Sequence, residues 1–162
     1  DRHKESLHLE EFDLSELTEM VAEEAQGLAE SKAVTLTAEI EPGILVKADQ
    51  TLMMRIWLNL LTNAVKYGRQ QGQIWLTLKS DGKNAVGTVR DDGIGISAAE
   101  LPKIWKRFYR VNTARSSGDD SGTGLGLAMV KWMVESHGGT VSAVSTLGAG
   151  STFSFTIPLR PS

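Results

Sequence analysis

The run Asp91-Asp92-Gly93-Ile94-Gly95-Ile96 puts two carboxylates and two glycines directly after an apolar stretch, 85–90, that reads as a strand. Glycine tolerates φ > 0 and, lacking a Cβ, lets another group come close to the main chain. A carboxylate at a buried strand end, beside bare backbone, suits a flat ligand that carries a hydrogen-bond donor. Asp91 shares strand parity with Val89 and so points inward, whereas Asp92 faces water or caps. The commoner role of a strand-end Asp is a turn cap. The ligand-binding role is acceptance from the exocyclic amine of adenine. Guanine carries a carbonyl at that position, and two acceptors facing each other out of water are costly.

A second group, Asn59, Asn63, Lys66 and Tyr67, recurs at i, i+4, i+7 and i+8, which is one side of a helix. The stripe borders the apolar positions Leu52, Met53, Ile56, Leu60 and Ala64 rather than opposing them. It therefore falls at the rim of a pocket. A carboxamide oxygen is a hard, neutral ligand, and Mg²⁺ takes oxygen while keeping several waters and phosphate oxygens. On its own, such a short pattern is more often an ordinary solvated helix face. The third group is Gly122-Thr123-Gly124-Leu125-Gly126-Leu127, which opens a helix running to about His137. Helix N-termini offer free N–H groups and a positive dipole end to phosphate, but a flexible loop with a tight helix–strand contact reads the same way. Its Gly-x-Gly-x-Gly spacing fits neither Gly-x-x-x-x-Gly-Lys-Ser/Thr nor Gly-x-Gly-x-x-Gly, and no strand feeds it directly. His3, His8 and His137 have no ligand spacing; His137, before Gly138-Gly139, reads as a helix-end residue.

The elements that must position these groups follow from periodicity. Leu7 to Phe12 reads as an edge strand. Asp13 to Glu16 is an N-cap with Glu three residues on, and helical spacing predicts a helix to about Lys32 whose acidic run is its solvated face. Val34 to Ile40 alternates as a strand. With the turn Glu41-Pro42-Gly43 and the next strand from Ile44, it predicts a hairpin. Asp49 caps a helix over Gln50 to Tyr67, stopped by Gly68. Strands follow over Gly72–Lys79 and Ala85–Arg90. Ser97-Ala98-Ala99-Glu100 has the form of a helix start, and a short helical piece begins at Pro102 and ends in Trp105-Lys106-Arg107-Phe108-Tyr109-Arg110. Val111 to Ser121 has almost no apolar content and reads as a mobile loop. Two more strands, Thr140–Ser145 and Ser151–Ile157, flank the turn Leu147-Gly148-Ala149-Gly150. Mixed helices and hairpin-like connections predict an α/β (α+β) two-layer sandwich: a mainly antiparallel mixed sheet with helices on one face.

Composition narrows the classes. The 162 residues carry a net charge of -3, without the basic excess or stripe of a nucleic-acid binder. There is no cysteine, which excludes disulfides and thiolate metal sites. No apolar run approaches the ~20 residues of a membrane span, and no signal peptide opens the sequence. The polar start Asp1-Arg2-His3-Lys4-Glu5 looks cut from a longer protein, within which residues 1–162 form a single domain.

Taken in order, the motifs resemble those of the catalytic, ATP-binding domain of two-component sensor histidine kinases, in the GHKL superfamily. Asn59 to Tyr67 is similar to the N box and Asp91 to Ile96 to the first glycine box. Trp105 to Arg110 is similar to the F box, Gly122 to Leu127 to the second glycine box, and Gly148 to Phe153 to the closing glycine-containing turn. The resemblance implies a Bergerat fold that binds Mg-ATP beneath a mobile lid, residues 111–121, and passes the γ-phosphoryl group to a histidine. It implies Asn63 as Mg²⁺ ligand with Asn59 in support, Lys66 on phosphate, Tyr67 beside the adenine and Asp91 on its amine. Gly93, Gly95 and Ile96 would give the base room. Arg110 would reach the γ-phosphate, and Gly122, Thr123, Gly124, Leu125, Gly126 and Leu127 would supply the phosphate-binding turn. Thr152 would act through adenine-side water. Trp105 stands where the F box usually begins with Phe and preserves lid anchoring.

No His-Glu-Leu-Arg-Thr-Pro-like segment is present. The phosphoacceptor His domain, dimeric in the parent protein, is therefore expected upstream of Asp1, with a response regulator as the further partner. A cytoplasmic domain of a membrane-anchored bacterial sensor kinase is implied, with no nucleic acid and no direct membrane contact from this fragment. Two other readings belong to the same motifs: a GHKL-type ATPase, and a non-catalytic nucleotide-binding regulatory module. The ATPases typically carry a catalytic Glu where Asn59 stands, and the intact motif residues argue against degeneration.

Overall fold

The structure is a computed structural model that describes residues 7–106 and 126–160. Its first elements are β1 (Glu10–Asp13) and α1 (Leu14–Ser31). The Asp13 side chain accepts from the Glu16 amide, the N-cap that the sequence announces. Leu14, Leu17, Val21, Ala25 and Ala29 form the buried stripe of α1. β2 (Thr35–Ile40) and β3 (Leu45–Ala48) follow. They do not form the expected hairpin. β2 pairs in parallel with β4 (Gln73–Ser80), while β3 pairs antiparallel with β1 in a separate two-stranded sheet, Phe12 opposite Val46. Burial explains the choice. Val46 and Ala48 are fully buried on the α1 side, and the Leu14 amide donates to Ile44 O at 2.8 Å, so the chain after Gly43 is drawn under α1 instead of back along β2.

Helix α2 (Gln50–Tyr67) has the predicted bounds. Asp49 caps it through Leu52 N at 3.1 Å. Burial pushes the Asp49 carboxyl up, but the amides of His8 and Leu52 and the neighbouring His137 outweigh this and hold it below its ordinary value. β5 (Asn84–Asp91), α3 (Gly126–Ser136), β6 (Val141–Thr146) and β7 (Gly150–Pro158) complete the chain. The Ser-x-x-Glu signature at 97–100 makes a turn, with Ser97 Oγ accepting from Glu100 N, before a short 3-10 helix, Leu101–Lys103. It does not begin an α-helix, because Pro102 supplies no amide to continue one.

The main sheet has the order β2-β4-β5-β7-β6, and only β2 and β4 run parallel. Residues of one parity, such as Leu76, Val89, Phe153 and Phe155, are buried beneath the helices. The result is the two-layer sandwich. Trp57 of α2 meets Phe155 of β7 edge to face, with centroids 5.0 Å apart. Gly87 lies under both, where a Cβ would come within 2.8 Å of Trp57 Cη2. This contact seats α2 on the middle of the sheet and brings its C-terminal end level with the end of β5.

Candidate functional site

Three chain ends converge there: the C-terminus of α2, the C-terminus of β5 and the start of β7. Asp91 is the last residue of β5 and stands opposite Ser151 of β7. Strand alternation turns its carboxyl under the helices, where it is 6% exposed. Gly93 N donates to its Oδ1 at 2.8 Å, and the Ser151 amide also donates to the carboxylate. Burial raises the carboxyl to about 6. The amides of Gly93 and Ser151 pull the other way, and the Asp92 carboxylate adds to the rise. Asp92 itself caps the start of β4, accepting from Gln73 N at 2.9 Å.

The glycines of this loop are there for contact. A Cβ on Gly93 would run into Tyr67 O, and one on Gly95, at φ 74, would run into Thr146 O. The main chain of 93–96 is thereby packed between the end of α2 and the β6–β7 turn. Ile94 N donates to Tyr67 O at 3.2 Å and Gly148 N to Ile94 O at 2.7 Å. Arg69, just beyond α2, crosses the same seam, donating through Nε to Asp92 O at 2.9 Å and through Nη2 to Gly148 O at 3.0 Å.

Around Asp91 these elements enclose a small cavity of about 30 Å³. Asn63 and Tyr67 of α2 form one side, Gly95 and Ile96 another, Ser151 and Phe153 the floor, and Leu127 of α3 the outer wall. It is narrow beside the ~300–1,000 Å³ of most ligand clefts. A wider groove of about 750 Å³ lies between the C-terminal ends of α1 and α2. It is larger but lacks a buried carboxylate, and the smaller cavity is the better candidate on chemistry.

The structure brings Asn63, Tyr67, Asp91, Gly95, Ile96 and Leu127 together at this cavity, with Gly93 directly beneath the carboxylate. Asn59 lies one turn away, its Oδ1 3.6 Å from where a Cβ on Gly126 would sit, so the start of α3 and the Asn stripe adjoin. Lys66 lines the neighbouring α1–α2 groove, with Nζ 5.4 Å from the Tyr67 ring centroid. Thr152 does not face the cavity: in the alternation of β7 it shares parity with the half-buried Ser154, opposite to Ser151 and Phe153. Ser151 is the hydroxyl at the site, and its parity with Phe153, Phe155 and Ile157 was the available signal. Trp105 packs edge to face on Phe153 at 6.1 Å, which ties the short helical piece to the cavity floor. Arg110, Gly122, Thr123, Gly124, Leu125 and the expected lid 111–121 lie outside the described residues. Among the described residues no group of three His, Asp or Glu could hold a metal. Among them, too, no helix is long and apolar enough to cross a membrane.

Residues 48–161 match the profile of the family described as histidine kinase-, DNA gyrase B-, and HSP90-like ATPase. The sensor histidine kinase TmoS of Ectopseudomonas mendocina is 37% identical over 161 residues, 99% of this chain and 16% of that protein. The mycobacterial sensor histidine kinase MprB superposes with a TM-score of 0.82 at 28% identity, covering 94% of this chain and 100% of that one. Full-length ShkA in complex with AMPPNP gives a TM-score of 0.80 at 31% identity, covering 97% of this chain and 32% of that one. The chain spans 16% to 34% of the length of the curated relatives it matches.

Proposed function

The chain belongs to the family of histidine kinase-, DNA gyrase B-, and HSP90-like ATPases, as an ATP-binding catalytic domain of the sensor histidine kinase type, and we propose that it holds Mg-ATP with the adenine edge on Asp91 and donates the γ-phosphoryl group to a histidine of a separate dimerisation domain. Residues 1–162 act as one domain of a longer sensor kinase whose phosphoryl group passes on to a response regulator. The parent is a membrane-anchored protein with this domain on the cytoplasmic side.

One observation carries the nucleotide reading. A buried carboxylate, already holding two backbone amides, faces a narrow apolar slot. An acceptor in that setting selects a donor on a flat ring, as adenine presents, and rejects a carbonyl. Asn63 at the rim would hold Mg²⁺, with Asn59 in support. The ion, when bound, neutralises phosphate charge. Lys66 and Arg110 would share that charge, and residues 122–127 would supply backbone donors to the phosphates. Phosphoryl transfer asks chiefly for positioning and charge neutralisation, so no base is required among these residues. Titration calorimetry with ATP and GTP, with and without Mg²⁺, tests the reading. Binding of ATP but not GTP, strengthened by Mg²⁺, is expected; equal binding of the two bases would overturn it.

A further inference from the structure

Ser145 lies on the edge strand β6 and is not among the residues that line the cavity. Its hydroxyl nevertheless makes three hydrogen bonds, all to the cavity's frame. It accepts from Ile96 N at 2.7 Å, donates to Gly150 O at 2.9 Å and lies 2.7 Å from Ser151 Oγ. A serine hydroxyl has one proton and two lone pairs. The Gly150 carbonyl can only accept, so it takes the Ser145 proton. Ile96 N can only donate, so it takes one lone pair. The remaining contact is then an Oγ–H of Ser151 donating to the last lone pair of Ser145.

The consequence reaches into the cavity. The Ser151 proton is committed away from it, so Ser151 Oγ presents only lone pairs there, beside the Asp91 carboxylate. The two residues are cross-strand partners. The Asp91–Ser151 side of the cavity therefore displays acceptors, and its own hydroxyl donates away from it.

We propose that Ser145 is a specificity-determining positioning residue: by fixing the Ser151 hydroxyl as an acceptor and pinning Ile96, it makes the cavity wall read an exocyclic amine and reject a carbonyl. The inference rests on the adenine reading of the cavity. Without Ser145, the Ser151 hydroxyl can rotate and donate, and a 6-oxopurine gains a partner that the native wall withholds.

The test compares ATP with inosine triphosphate, which carries a carbonyl in place of the amine, by calorimetry on the whole chain. Ser145→Ala is expected to narrow the ATP preference about tenfold, the size of one misdirected buried hydrogen bond. Ser145→Thr, which keeps the hydroxyl, restores it. In a double-mutant cycle, adding Ser145→Ala to Ser151→Ala changes the preference no further. If Ser145→Ala does not fold, Ser145→Cys, with its weak donor and acceptor, takes its place with the same expectation. A proportional loss of both nucleotides, with the preference intact, would overturn the role of Ser145. A native chain with no preference would instead overturn the adenine reading itself.

Discussion

Asp91 and Ser151 face each other as the last pair of the β5–β7 ladder, and the amide of the second donates to the carboxylate of the first. The strand pairing that builds the sheet thus also orients the buried acceptor. Asp91→Asn keeps the shape but replaces one acceptor oxygen with an NH₂ donor. It should weaken ATP binding on the order of 10- to 100-fold, from a buried partner left unmet at about 1–3 kcal/mol. Calorimetry on the variant checks this. Unchanged affinity would remove Asp91 from the site.

Asp91 also predicts two pH dependences of opposite sign. Its folded carboxyl titrates near 6 because of burial, against about 3.9 in an unfolded chain. The protonated form is the one the fold favours. Its contribution to stability is therefore full below about 4 and is lost as pH rises through about 6, on the order of 3 kcal/mol. ATP binding, which needs the ionised acceptor, falls as pH drops below about 6. Urea denaturation and ATP titration at about pH 5 and 7.5 separate the two, and Asp91→Asn should flatten both. Asp49, held low, acts in another window: its contribution is present above its ordinary 3.8 and is lost only in stronger acid.

Glycine substitutions should divide by neighbourhood rather than by φ. Gly95 and Gly82 both have positive φ, 74 and 96, but a Cβ on Gly82 meets nothing within 4 Å whereas one on Gly95 strikes the Thr146 carbonyl. Gly82→Ala should cost about 1 kcal/mol, the left-handed penalty alone. Gly95→Ala should cost several times that and impair nucleotide binding, since the loop must shift. Thermal melts with and without ATP measure both effects.

His137 should matter to stability, not to nucleotide. Its Nε2 accepts from Asp49 N at 3.0 Å and its Nδ1 lies 2.7 Å from Met133 O, joining the end of α3 to the N-cap of α2 across 88 positions. His137→Ala leaves the part-buried Asp49 amide without its partner and should cost about 1–3 kcal/mol. Urea denaturation should show the loss while ATP affinity at saturating stability is retained.

Much of this was legible before the fold was known. Asp13, Asp49 and the periodic apolar stripes set two helices to within a residue, because capping and amphipathicity are local. The inward turn of Asp91 followed from its parity with Val89. Pairing was less legible. The partner of β3 is β1, over thirty positions away, and no local turn signal at Glu41-Pro42-Gly43 can state that. The hydroxyl is a different case: the family resemblance implied Thr152, while strand alternation with Phe153 turns Ser151 to the cavity. Arg69 and Ser145 had no motif at all. Arg69 acts through hydrogen bonds to main-chain oxygens of two distant loops, and Ser145 through the Ile96 amide and the Ser151 hydroxyl; contacts of this kind leave no pattern of residue types to read.

The central claim is that this domain supplies the γ-phosphoryl group to a histidine it does not itself contain. The direct measurement mixes the chain with the parent's histidine-bearing dimerisation domain, Mg²⁺ and γ-labelled ATP, and follows label on that domain. Acid-labile, base-stable label on the histidine is predicted, and it should be lost with Asp91→Asn. Normal ATP binding with no label transferred would contradict the account.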